Sequence, residues 1–265
     1  MKRNLLILII ICSLCGSAFA QKMDTITTAS GLKYFFTKKG SGPAVPPGQL
    51  AICDYILTLT NGTKVDASRD RGAPFAVPVP SHQVIKGFNE ALTLLHVGDR
   101  GIFILPPNIA YGDNGTGPIP PKATLIFDIE LLDTKAKSLG MVLDSILFEK
   151  PVKDDSKPQM AAVLSTFKEL KKTKFKDIYV SENDLNGLGY ELIKKFPNEA
   201  VELFKLNVKM YPKSYNVYDS LAEGYMTAGN NKLAIKNYQK SLKLNPKNTN
   251  ATDMIKKMET LAAKQ

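Results

Sequence analysis

The chain is poor in the residues that carry metal and nucleophilic chemistry. Its 265 residues include two histidines and three cysteines. His82 and His96 stand apart, with no ligand-like spacing around either, so no metal centre is expected. No phosphate-binding motif, metallohydrolase motif or Ser/His/Asp arrangement occurs, and no cofactor is expected. Long apolar runs are missing as well. The longest, Leu5 to Leu14, follows Lys2 and Arg3 and precedes Ala18-Phe19-Ala20, which reads as a secretory leader over residues 1–20 cleaved near Ala20. It falls well short of the roughly 20 residues a spanning helix needs. Ile11 and Leu14, just before Cys12 and Cys15, are bulky where lipoprotein leaders carry small residues. No other stretch is long enough to span a bilayer, so stable membrane insertion is not expected. The destination read from this is export, to the periplasm, with secretion as the alternative.

Cleavage would leave Cys53 as the sole cysteine, which excludes an intramolecular disulfide even in an oxidising compartment. Cys53 lies in the apolar run Leu50-Ala51-Ile52-Cys53 of an expected strand, where a small buried thiol is the ordinary case. Stability must come from packing.

Charge is unevenly distributed. Residues 21–134 contain 10 Lys or Arg and 10 Asp or Glu, whereas residues 135–265 contain 23 Lys and 15 acids. The basic half has lysines along helical faces without aromatic interleaving, which speaks for a solvated helical surface and against nucleic acid. Weak attraction to acidic proteins or anionic lipids is the other reading.

The secondary-structure signal changes near Asp133. Before it, Pro and Gly are dense and short alternating runs dominate: Ile52 to Thr60, a hairpin-type turn at Asn61-Gly62, Arg100 to Leu105, and Thr124 to Leu132. One helix is expected from about Gln83 to Leu95, with Val84, Ile85, Phe88, Leu92 and Leu95 on its apolar face and Gly98 just past its end. After Asp133 the pattern is helical, broken at Pro151 and near Pro158. From about Glu182 it repeats: Tyr218, Leu221, Ala222, Tyr225, Gly229, Ala234, Tyr238, Ser241 and Pro246 follow the 34-residue tetratricopeptide pattern. A shift of 34 residues puts Ala200 under Ala234, Phe204 under Tyr238 and Pro212 under Pro246. The organisation expected is a leader (1–20), a β-rich domain (21–134), linker helices (135–181), and two tetratricopeptide repeats plus a capping helix (182–265).

Between Asp54 and Phe127 the sequence places Tyr55, Asp66, Phe75, Val84, Ile85, Phe88, Tyr111 and Phe127 on strands and turns of the β-rich domain, where they can line one apolar pocket. Asp66 is followed by Arg69 and Arg71, which hold it ionised rather than pairing it with a second acid. Aromatic walls with a few fixed polar groups suit a reaction that needs a particular conformation and no covalent step.

VDASRDRGAPF, QVIKGF, IAYG and IPPKATLIFDIELL, in that order, closely resemble the FKBP-type peptidyl-prolyl isomerases over about Ala51 to Leu132. The resemblance implies an α+β fold, a five- or six-stranded curved antiparallel sheet wrapped around one short helix, here followed by an all-α tetratricopeptide-repeat domain. It also implies cis/trans isomerisation of X-Pro bonds in proline-containing client polypeptides. By resemblance the catalytic residues are Tyr55, Asp66, Tyr111 and Phe127. Phe88 forms the floor, and Phe75, Val84 and Ile85 line the walls. Arg71 positions Asp66, Ile119 closes the far side, and the Ile85 N–H and Tyr111 hydroxyl hold substrate carbonyls. Val65 stands among the substrate contacts where many members carry an aromatic. Phe88 stands where many carry Trp, and the loop from Tyr111 to Pro121 is shorter and lacks a histidine. The alternative reading is a periplasmic chaperone or adaptor whose repeats bind a protein partner or client beside a weakly active proline pocket.

Overall fold

The computed structural model describes residues 24–148 and 156–262. The expected leader and the break at Pro151 lie outside the described residues.

Two long strands organise the β-rich half. β3 (Leu50–Leu59) and β7 (Leu125–Lys135) are apolar on the inward face at every second position, as a half-buried strand requires. They pair antiparallel, from Leu50 opposite Lys135 to Leu59 opposite Leu125. With β1 (Ile26–Thr27), β2 (Lys33–Lys38), β4 (Lys64–Ala67), β5 (Phe75–Pro78) and β6 (Arg100–Leu105) they form one seven-stranded sheet in the order β1-β2-β6-β7-β3-β4. β5 joins the same edge of β3 as β4: Leu57 lies opposite Asp66, and Cys53 opposite Phe75. That double use of one edge brings Tyr55, Asp66 and Phe75 into the same neighbourhood. The sheet has one or two strands more than the resemblance implies, because the short β1 and β5 complete it. The β3–β4 reversal falls at the expected Asn61-Gly62 turn, with Gly62 at φ +85°.

The outer face carries charge in matched rows. Arg100 donates twice to Asp128, at 2.8 and 2.6 Å, while Lys38 and Arg69 both reach Glu130. Such exposed pairs contribute about 0–1 kcal/mol each, so they fix register more than stability. The inner face packs Leu57, Phe103, Leu105, Phe127 and Ile129 against Phe88, Ala91 and Leu92 of α1 (Lys86–Thr93).

α1 is shorter than the periodicity implies: Val84 and Ile85 precede it and Leu95 follows it. The cause is local. Asn89 folds back so that its Oδ1 accepts from the Ser81 N–H at 2.8 Å and its Nδ2 donates to the Ser81 carbonyl at 2.6 Å, and the Gln83 N–H donates to Ser81 Oγ. These bonds hold residues 81–85 in a turn and leave Ile85 extended, at φ −62° and ψ 152°.

The chain passes directly from β7 through β8 (Lys137–Ser138) into α2 (Leu139–Leu147). β8 pairs in parallel with β9 (Ile178–Tyr179), and the N-terminus of α2 is closed by Ser138 Oγ and by Asp184 Oδ1, which accepts from the Gly140 N–H at 2.9 Å. The other helices are α3 (Met160–Lys172), α4 (Glu182–Leu192), α5 (Pro197–Met210), α6 (Tyr215–Thr227), α7 (Asn231–Leu244) and α8 (Thr249–Ala262). α4 pairs with α5 and α6 with α7. Residues 34 apart occupy matching places: Ala200 and Ala234 are fully buried, as are Phe204 and Tyr238, and Pro212 and Pro246 each follow a helix end. α3 packs Val163 and Phe167 into the same core as α2, α4 and α5.

Candidate functional site

A cavity of about 450 Å³ opens between α1 and the sheet, lined by Tyr55, Leu57, Asp66, Phe75, His82, Gln83, Val84, Ile85, Phe88, Tyr111 and Phe127. Its base is four rings. Phe88, 3% exposed, stands edge-on to Phe127 with centroids 5.1 Å apart, and Tyr55 lies 5.6 Å from Phe88 and 5.7 Å from Phe75. These tilted and edge-to-face contacts are the favoured aromatic geometry and make the base of the cavity apolar.

The polar side of the cavity is a closed network. The Tyr55 hydroxyl donates to Asp66 Oδ2, Arg71 Nη2 donates to the Tyr55 oxygen at 2.9 Å, and Arg71 Nη1 donates to Asp66 Oδ1 at 2.5 Å. The Ala67 N–H adds a further bond to Asp66 Oδ1 at 2.8 Å. Burial works against the Asp66 carboxylate, but the hydrogen bonds from Tyr55 and Arg71 and the Arg71 charge outweigh it and hold its pKa below the usual aspartate value. Burial, then the bond to Asp66, pushes the Tyr55 phenol up to about 12. Neither group is poised to exchange a proton near neutral pH. Nor is Cys53: it is fully buried, and burial pushes its thiol up to about 12.

Two further polar groups are available. No acceptor among the described residues meets the Ile85 N–H, which the extended conformation of Ile85 leaves outside the helical ladder. Tyr111 is 40% exposed at the mouth, in a glycine-rich loop closed by reciprocal bonds between Thr116 and Ile119. That closure needs Gly115, at φ +65°, because a Cβ there would lie 2.3 Å from the Ile119 carbonyl oxygen.

Eight of the residues singled out from sequence therefore meet at one cavity: Tyr55, Asp66, Phe75, Val84, Ile85, Phe88, Tyr111 and Phe127. Arg71 stands behind the lining as the partner of Asp66 and Tyr55. Val65 is half-buried against the core and Ile119 is buried within it, so neither side chain lines the cavity. Leu57, His82 and Gln83 do line it and were not singled out. Leu57 was recoverable from its place two residues after Tyr55 on one strand. His82 and Gln83 were not, because only the Ser81–Asn89 turn directs them there.

The model of the FKBP-type peptidyl-prolyl cis-trans isomerase family matches residues 42–132. Among curated proteins the chain is 47% identical over 98 residues to FK506-binding protein 1 of Debaryomyces hansenii, covering 36% of this chain and 88% of that protein. It is 40% identical over 106 residues to FK506-binding protein 1 of Dictyostelium discoideum, covering 40% and 99%. It is also 43% identical over 116 residues to the FKBP-type peptidyl-prolyl cis-trans isomerase FkpA of Aeromonas hydrophila, covering 44% of this chain and 42% of that protein. The crystal structure of FkpA from Escherichia coli matches with a TM-score of 0.41 and 36% identity, over 44% of this chain and 54% of that chain. The chain belongs to the FKBP-type peptidyl-prolyl cis-trans isomerase family. It spans about half or less of the length of the FkpA relative from Aeromonas, and the match stops at the end of the β-rich half.

Proposed function

We propose that the chain is a peptidyl-prolyl cis-trans isomerase that speeds X-Pro isomerisation during folding of exported proteins. The observation that carries this is the ring-walled cavity whose only carboxylate is locked to Tyr55 and Arg71. It is a site built for shape and polarity, in which the carboxylate and the phenol are tied to each other and to Arg71.

Amide resonance sets a barrier of roughly 18–20 kcal/mol, and unaided X-Pro isomerisation takes tens to hundreds of seconds. At the twisted transition state the amide loses conjugation and the C–N region becomes less polar, so a water-poor apolar cavity favours it over the planar ground state. In this reading the prolyl ring sits on Phe88, between Tyr55, Phe75, Val84, Ile85 and Phe127. The free Ile85 N–H and the Tyr111 hydroxyl take substrate carbonyls, and Asp66, oriented by Tyr55 and Arg71, faces the carbonyl that rotates. Val65 and Ile119 support the walls from behind.

Residues 21–134 form the isomerase domain, 135–181 the linking helices, and 182–265 two tetratricopeptide repeats with a capping helix. The 34-residue correspondence of Ala200 with Ala234 and Phe204 with Tyr238 supports the repeats. The repeats recruit a client or protein partner. The leader-like residues 1–20 support a periplasmic location, and among the described residues no helix is long and apolar enough to cross a membrane.

A protease-coupled assay on Xaa-Pro peptides tests the activity. The wild type is expected to exceed background clearly, with Asp66→Ala and Tyr111→Phe reduced; wild-type rates equal to background would end the enzyme reading. Recruitment by the repeats fails if the full chain speeds refolding of a proline-limited protein no more than its rate on peptides accounts for.

A further inference from the structure

A row of lysines on α7 has no acidic partner among the described residues and does not line the pocket. Lys232, Lys236, Lys240 and Lys243 recur at spacings of four, four and three, and Lys247 follows just beyond the helix end. At 3.6 residues per turn the four helical lysines fall within roughly 80° of arc and about 17 Å of length. The buried residues of the same helix, Ala234, Tyr238 and Ser241, lie on the opposite side. All five lysines are exposed, and among the described residues none has a carboxylate within ion-pairing distance. The ammonium of Lys240 lies 5.6 Å from the Tyr218 ring centroid. Between Glu223 and Asp253 the sequence contains no acid at all.

We propose that this face of α7 docks the protein on an anionic phospholipid surface. Uniform positive charge along a straight, solvent-facing helix fits a partner whose negative charge is likewise spread over a plane. A folded acidic protein would call for shaped, partly apolar contacts, and only Leu244, 37% exposed, offers one here. The cations are all lysine: residues 135–265 contain no arginine. Lysine acts as a hydrated point charge, whereas arginine supplies the planar fork that reads individual phosphates and bases. Each lysine near an anionic membrane adds about 1 kcal/mol of attraction, which decays within a Debye length of about 10 Å at 0.1 M salt. The docking is therefore additive, peripheral and salt-sensitive, and it is independent of the isomerase reading.

The test is co-sedimentation of the full mature chain with vesicles of phosphatidylcholine alone or mixed with phosphatidylglycerol, at low and physiological salt. The wild type is expected to bind the mixed vesicles, more weakly as salt rises, and to ignore phosphatidylcholine. The triple substitution Lys232→Gln, Lys236→Gln, Lys243→Gln should lower binding by about tenfold or more. Removing the same charge from α3 and the segment after it, with Lys168→Gln, Lys171→Gln and Lys176→Gln, should cost much less. Equal losses from the two triples would overturn the proposal, since net charge alone would then explain binding. It would be overturned equally if the α7 triple kept vesicle binding but lost binding to polyglutamate or to duplex DNA.

Discussion

The Tyr179 hydroxyl donates to the Pro74 carbonyl across 3.3 Å. Pro74 is the residue before Phe75, a wall of the cavity, and Tyr179 belongs to β9, which is paired to β8 at the entry to α2. The helical half thus reaches the pocket by a hydrogen bond and by an unbroken run of chain from β7. Residues 71–74 are exposed, so this bond anchors the segment that leads into Phe75, beside the pairing of Phe75 with Cys53 and its packing on Tyr55.

Tyr179→Phe removes this bond while keeping the ring. Amide hydrogen exchange is expected to quicken around residues 73–76, and KM for a proline peptide to rise about twofold, as the loss of roughly 0.5 kcal/mol would give, with kcat unchanged. Unaltered exchange in that segment would mean that Phe75 is held without the helices.

The Tyr55–Asp66–Arg71 network keeps one ionisation state over a wide range, because Asp66 titrates below its usual value and Tyr55 near 12. Tyr55→Phe should lower kcat/KM severalfold, and the ratio of wild type to variant should stay constant from about pH 5 to 9. A ratio that changes inside that interval would show that the pair exchanges a proton during turnover.

Asp99 is fully buried and accepts from the Gly40 N–H at 2.7 Å and the His96 N–H at 2.9 Å. Burial opposes its charge, but these backbone bonds and nearby Lys39 hold its pKa below the ordinary 3.8. Asp99→Asn replaces one of the two accepting oxygens by an amide NH2, which sets a donor against an N–H donor, and should cost about 2–3 kcal/mol at neutral pH. A carboxylate with a depressed native pKa contributes stability that is present above its unfolded value and lost as pH falls through the native one. The gap between wild type and variant in urea unfolding should therefore narrow below about pH 4.

Two glycines of α4 give opposite expectations. A Cβ at Gly187 would meet nothing within 4 Å, whereas one at Gly189 would lie 2.3–2.8 Å from three atoms of the Phe204 ring. That ring cannot retreat, because Gly224 confines it from the other side, with its own Cβ position 2.8 Å away. Gly187→Ala should stabilise the helical half by about 0.5–1 kcal/mol through helix propensity. Gly189→Ala should destabilise it by about 1–3 kcal/mol through overpacking. Thermal unfolding followed by helical circular dichroism reads both.

The sequence alone determined the strands with strict alternation, the helical half and its 34-residue repetition, and eight residues of the cavity. The strands and helices rest on local periodicity; the cavity residues sit on separate elements, and it is the resemblance of their motifs to one family that groups them. The tertiary structure decided the rest, because those features depend on contacts between distant residues. α1 begins at Lys86 because the Asn89 side chain captures Ser81, and that turn puts His82 and Gln83 on the cavity and frees the Ile85 N–H. Val65 and Ile119 lie behind the walls because the sheet and the loop at Gly115 bury them. The bond from Tyr179 to Pro74 spans 105 residues, and no pattern of spacing in the chain announces it.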